Sequence, residues 1–172
     1  MSPADGRGPV DDEAALSLLA GDSLRIAVAC SRFNRHVTDL LLQGALSRLQ
    51  TLGVGDDGIE VVWVPGAFEL PLVARALAAT GRVDAVICLG AVIRGETGHY
   101  DFVAGECASG LQRVQLDTGV PAVFGVLTTE NLEQALERAG GRHGNKGEES
   151  ADAAVEMAGL LRRIAKSAGT QL

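Results

Sequence analysis

The sequence predicts an α/β fold: a three-layer α/β/α sandwich in which helices cover both faces of a four-stranded parallel sheet. Three observations carry this. Short apolar runs alternate with segments of helical periodicity four times between Arg25 and Lys166. The connections are short and marked by glycine, proline or capping residues. The chain has 172 residues, 47% of them apolar, enough for one domain to bury its own core. Right-handed crossovers between parallel strands put every strand-exit loop on one edge, where such folds hold ligands.

Residues 1–22, with Pro3, Gly6, Gly8, Pro9 and Asp11-Asp12-Glu13, have the composition of a flexible arm. Residues 23–167 are expected to form a single domain, and 168–172 a fraying tail. The first strand is Arg25–Cys30, apolar as a central parallel strand requires. Ser31-Arg32-Phe33-Asn34 breaks it, and from His36 a helix places Val37, Leu41, Ala45, Leu49 and Leu52 on one face before Gly53 stops it. Phe33, an aromatic in a polar loop, either plugs that loop or offers a stacking surface.

Glu60–Val64 is the second strand and Pro65-Gly66-Ala67 its turn. The helix from Phe68 to Thr80 tolerates Pro71 near its first turn. Glu69 stands in that same turn, where the helix dipole favours a carboxylate by about 0.3–1 kcal/mol. The third strand is Val83–Leu89. A polar stretch follows, then a helix from Asp101 to about Asp117 with the apolar stripe Val103, Cys107, Leu111 and Val114. The fourth unit is strand Ala122–Leu127, capping residues Thr128–Asn131 and a helix to about Ala139. A glycine-rich basic turn, Gly140–Gly147, leads to a last helix, Glu148–Lys166, with Ala154, Met157, Ala158, Leu161 and Ala165 inward.

The net charge of −7 and the lack of a large Lys/Arg cluster exclude a general nucleic-acid binder. No run approaches the ~20 apolar residues of a membrane span. Cys30, Cys88 and Cys107 lack metal or redox spacing and read as reduced core residues, so a cytoplasmic location is expected. His36, His99 and His143 are scattered without metal-ligand spacing, so no metal is expected.

The chemistry concentrates between Leu89 and Val103. There Gly95-Glu96-Thr97 precedes His99 at a strand-to-helix junction, and histidine moves protons near neutral pH. Arg94, Arg138, Arg142 and Lys146 lie near element ends, where two or three cations suffice for one phosphate. This points to a phosphorylated small molecule and acid–base chemistry at a carbonyl, with Arg138 and Gly95-Glu96-Thr97 on the phosphate. The rival is a non-catalytic nucleotide-binding module, disfavoured because no G-x-G-x-x-G or Walker pattern is present.

Several stretches resemble the 6,7-dimethyl-8-ribityllumazine synthase family: Ser31-Arg32-Phe33-Asn34, Pro65-Gly66-Ala67-Phe68-Glu69-Leu70-Pro71, Gly90 to Asp101, Phe124-Gly125-Val126-Leu127-Thr128, Glu137-Arg138-Ala139-Gly140 and Gly144-Asn145-Lys146-Gly147. They occur in the family's order and spacing over residues 24 to 165. The resemblance implies a flavodoxin-like strand order and a catalytic domain over residues 23–167. It implies condensation of 5-amino-6-(D-ribitylamino)uracil with 3,4-dihydroxy-2-butanone 4-phosphate, the penultimate step of riboflavin biosynthesis, with no cofactor and no metal. A catalytically silent shell-forming homologue is the alternative that the motifs disfavour.

By the same resemblance Phe33 stacks on the pyrimidine and Ala67 and Glu69 hold the ribityl chain. Val92, Ile93 and Lys146 line the ring pocket, with Asn34, Phe68 and Arg94 also on the substrate. Phe124 comes from a neighbouring subunit. Gly95, Glu96, Thr97 and Arg138 form the phosphate site, and His99 transfers protons. Gly98 stands where serine, threonine or proline is common, and Glu149 where aspartate is. The resemblance also implies a homo-oligomer, a pentamer closing into a 60-subunit icosahedral shell, since no insertion lengthens Arg142-His143-Gly144, and association with riboflavin synthase.

Overall fold

The computed structural model describes residues 24–169. The expected arm over residues 1–22 lies outside the described residues; of the tail expected over 168–172, Ala168 and Gly169 are still helical and 170–172 lie outside the described residues. Strands β1 (Ile26–Ser31), β2 (Ile59–Val64), β3 (Ala85–Ile93) and β4 (Ala122–Thr129) form a parallel sheet in the order β2-β1-β3-β4. Helices α1 (Arg35–Thr51), α4 (Leu132–Glu137) and α5 (Lys146–Gly169) cover one face. Helices α2 (Leu70–Ala79) and α3 (His99–Thr118) cover the other, giving the three-layer α/β/α sandwich of flavodoxin-like type. Among the described residues no helix is long and apolar enough to cross a membrane.

The central strands explain their own composition. All of β1 is buried, and so is β3 up to its last residue, because each has helices on both sides. Alternate residues feed two cores: Ile26, Val28 and Cys30 meet Val37, Leu41, Ala45 and Leu49 of α1, while Ala27 and Ala29 meet Leu70, Ala74, Cys107 and Leu111 of α2 and α3. The five positions expected on the buried face of α1 are all fully buried.

Several boundaries differ from the sequence reading. β3 starts at Ala85 and continues past Leu89 to Ile93, because Gly90–Ile93 pair residue for residue with Val126–Thr129. Gly90 is therefore a strand residue and not the break expected there, and β4 is longer by the same pairing. α3 begins at His99 rather than Asp101, and α4 stops at Glu137 because Ala139 enters a strand. The glycine-rich turn is an antiparallel ribbon of β5 (Ala139–Gly141) and β6 (Gly144–Asn145), with Gly140 and Gly144 at φ 113° and 75°. α5 begins at Lys146 and buries Ala151, Ala154, Val155 and Ala158. Met157, Leu161 and Ala165, expected inward, are exposed. The buried stripe shifts because Gly147 and Ser150 seat the helix, touching α1 and β4 respectively.

Candidate active site

A cavity of about 690 Å³ opens at the C-terminal ends of β1, β2 and β3. The chain turns from β1 to β2 on one side and to β3 on the other, so this is the switch point of the sheet. Phe33 enters from the loop after β1, Ala67, Phe68 and Glu69 from the single turn after β2, and Val92 and Ile93 from the end of β3. Gly95 and Thr97 follow, and α3 contributes His99, Tyr100, Phe102 and Val103. The walls are mostly aliphatic and aromatic, with Glu69, Thr97 and His99 as polar points. Such a lining suits a flat ring with polar substituents.

Local hydrogen bonds fix the Phe33 loop. The Arg32 and Phe33 N–H groups donate to the carbonyls of Val64 and Pro65 at 2.8 and 3.1 Å, which ties the exit of β1 to that of β2. Asn34 sits in the left-handed region at φ 57°, ψ 44°, which asparagine tolerates better than most residues. Its Nδ2 donates to the Ala91 carbonyl at 2.9 Å. Asn34, expected on the substrate, does not line the cavity; its side chain braces the Phe33 loop against β3.

Arg94 is also directed elsewhere. Its guanidinium lies 3.0 Å from Glu130, 3.4 Å from Asp101 and 4.2 Å above the Tyr100 ring, while its N–H donates to the Thr129 carbonyl. Its hydrogen bond to Glu130 raises its pKa further, and the cluster holds the loop rather than the cavity. Glu96 is exposed and outside the lining. Gly98, the N-cap of α3, has no side chain to cap it; the His99 N–H donates to Thr97 Oγ1 at 3.4 Å. The N–H groups of that first turn, with Gly95 and Thr97 beside them, are suited to an anion.

No arginine or lysine is among the lining residues. The two cations expected there lie with the elements on the opposite face of the sheet, around α4, the ribbon and the start of α5. The Lys146 N–H donates to the Arg138 carbonyl at 2.8 Å, so the two residues are neighbours in space. Arg138 Nη1 donates to the Gln134 carbonyl at 3.1 Å, and Lys146 Nζ lies 2.5 Å from Glu149. Arg142 is engaged with Glu137 at 3.0 Å and holds that carboxyl below its ordinary pKa.

Phe124, which the resemblance gives to a neighbouring subunit's site, does not line this chain's own cavity. It pairs with Cys88, five residues before the end of β3, roughly 17 Å from the strand exits. The three cysteines are free and buried; burial pushes the Cys30 and Cys107 thiols up to about 12 and Cys88 further, so none serves as a nucleophile. Tyr100, Phe102 and Val103 line the cavity without having been anticipated. The signal was available, since the chain has one tyrosine and four phenylalanines and two of these six-membered rings adjoin His99.

A cavity at the switch point of a doubly wound sheet, walled by rings, with a histidine and a helix N-terminus at its mouth, defines an α/β fold with a small-molecule site of the kind enzymes use. The family model for 6,7-dimethyl-8-ribityllumazine synthase matches residues 23–162. A 6,7-dimethyl-8-ribityllumazine synthase from Edwardsiella ictaluri is 57% identical over 148 residues, 86% of this chain and 95% of that protein. One from Yersinia pestis is 54% identical over the same shares of both chains. The chain belongs to the 6,7-dimethyl-8-ribityllumazine synthase family, enzymes of riboflavin biosynthesis.

Proposed function

We propose that the cavity condenses 5-amino-6-(D-ribitylamino)uracil with 3,4-dihydroxy-2-butanone 4-phosphate, and that it is completed by a second subunit. The need for a second subunit follows from the charges: a site for a phosphate ester has no cation in its lining, while Arg138 and Lys146 stand together elsewhere on the chain. A head-to-tail contact between copies brings the two halves together, and such contacts close into rings. Phe124 joins the site from the same neighbour.

In this reading Phe33 stacks on the pyrimidine, with Val92 and Ile93 along the ring, and Glu69 accepts hydrogen bonds from the ribityl hydroxyls beside Ala67 and Phe68. The phosphate rests on the Gly95–Thr97 backbone and the first turn of α3, with Arg138 of the neighbour supplying the planar cationic fork. The substrate amine attacks the ketone and loses one water to form an imine, phosphate is eliminated, and the ribityl-bearing amine closes the ring with loss of a second water. His99 moves protons between these steps. Asn34 and Arg94 act on the substrate through the loops they brace.

His99→Ala is expected to lower turnover by about tenfold, less than the 10²–10⁴ of a full general acid–base residue, because amine and ketone react by themselves and positioning supplies much of the rate. Lumazine absorbance on mixing the two substrates measures it. Unchanged turnover removes His99 from proton transfer, and pyrimidine binding without phosphate release in the native protein refutes the enzymatic reading.

The assembly is a pentamer that closes into a 60-subunit shell. Leu72, Phe102 and Leu116 on α2 and α3 are each more than two-thirds exposed, which an interface would cover. The ribbon turns in two residues, Arg142 and His143, leaving the tight connection expected of shell-forming members. Static light scattering is expected to give a particle of about 1 MDa for this 17.8 kDa chain; a mass near five chains refutes the shell. The free cysteines fit a reducing cytoplasm, and riboflavin synthase, which consumes the lumazine, is the partner this assembly would hold.

A further inference from the structure

We propose that Asn145 is a positioning residue that holds Arg138, through its backbone neighbour Lys146, in register for the phosphate-bearing substrate. The inference rests on the reading that Arg138 serves that substrate. Asn145 is 9% exposed and uses both ends of its amide. Oδ1 accepts the Gly147 N–H at 2.8 Å, which makes Asn145 the N-cap of α5. Nδ2 donates to the Leu40 carbonyl on α1 at 3.1 Å, 105 residues away in sequence. Its backbone pairs with Ala139 across the ribbon, and the next N–H, of Lys146, bonds the Arg138 carbonyl. One side chain thus ties the segment carrying both cations to α1.

The surroundings are shaped for that amide. A Cβ at Gly44 of α1 would come within 2.5 to 2.6 Å of the three terminal atoms of the Asn145 side chain. A Cβ at Gly147 would come within 1.9 Å of the Leu41 carbonyl oxygen, so α5 is seated on α1 by direct backbone approach. Because Gly147 seats the helix and serine or aspartate caps as well as asparagine, neither task accounts for asparagine at 145. An ionised aspartate has no donor for the Leu40 carbonyl, and serine's single short hydroxyl does not span both partners as the two ends of the amide do.

Asn145→Ser keeps a capping oxygen and removes the tether, and Gly44→Ala combined with it refills the vacated space. The positioning role predicts that KM for the butanone phosphate rises about tenfold in both the single and the double variant, with KM for the pyrimidine changed less than about threefold. In the double variant this loss persists although its melting temperature returns toward that of the native protein. Asn145→Asp, whose ionised carboxylate has no donor for the Leu40 carbonyl, gives the same kinetic split if the serine variant assembles poorly. A double variant with native KM for the butanone phosphate, or equal losses for both substrates, overturns the proposal. Arg138→Ala run alongside separates the two layers. If it raises that KM and Asn145→Ser does not, the tether fails alone. If Arg138→Ala leaves it unchanged, the phosphate reading fails and the tether with it.

Discussion

Arg138→Ala is expected to lower kcat/KM for the butanone phosphate by about 100-fold while binding of the pyrimidine changes less than about threefold. A hydrogen bond to a charged group contributes about 1.5–3 kcal/mol, and every 1.4 kcal/mol is tenfold. The guanidinium offers two parallel donors to one phosphate, and no cation in the cavity lining replaces it. Lys146, its backbone neighbour, retains some attraction but lacks the fork. Arg138→Lys is accordingly expected to recover part of the loss. Steady-state rates with each substrate varied in turn give the comparison. Equal losses for both substrates would place Arg138 in a general structural role.

The architecture was legible because the physics is local. β1 and β3 are buried on both faces, so their apolar runs stand out, and the five inward positions of α1 follow helical spacing without exception. The boundaries that moved did so where a partner overrides a local signal. Gly90 breaks an isolated strand, yet here it pairs with Val126, and the glycines after Ala139 make a ribbon because Gly140 and Gly144 accept positive φ. On α5, periodicity gave the helix but not which stripe faces inward. That choice was made by Gly147 and Ser150, whose contacts lie on α1 and β4.

The site was legible in part for the same reason. Residues that leave the sheet edge together, Phe33, Phe68, Glu69, Thr97 and His99, share one cavity as the topology demands. Asn34 and Arg94 come from the same loops but turn to backbone and to Glu130, a choice of side-chain direction that spacing does not encode. Phe124, Arg138 and Lys146 follow no rule of strand ends. In the proposed two-subunit site they complete a neighbour's cavity, and such a residue carries no mark in its own chain's topology.

If the site is shared between subunits, two disabled subunits are expected to restore each other. One variant would carry His99→Ala with Phe33→Ala, damaging the cavity, and the other Arg138→Ala with Lys146→Ala, damaging the cation pair. Each assembled alone should be nearly inactive, the second because a phosphate dianion leaves water for an apolar-walled cavity with no opposing charge. In an equal mixture refolded or expressed together, each site draws its cavity from one subunit and its cations from the next. About a quarter of the sites then combine two native halves, so activity should recover to about a quarter of native. A site contained in one chain gives no such recovery, since every subunit in the mixture is damaged and activity stays at the mean of the parents. The same logic makes an isolated subunit nearly inactive with His99 in place. In the proposed site His99 moves protons only for a substrate already held, and the groups that would hold its two ends lie on opposite faces of this chain's sheet.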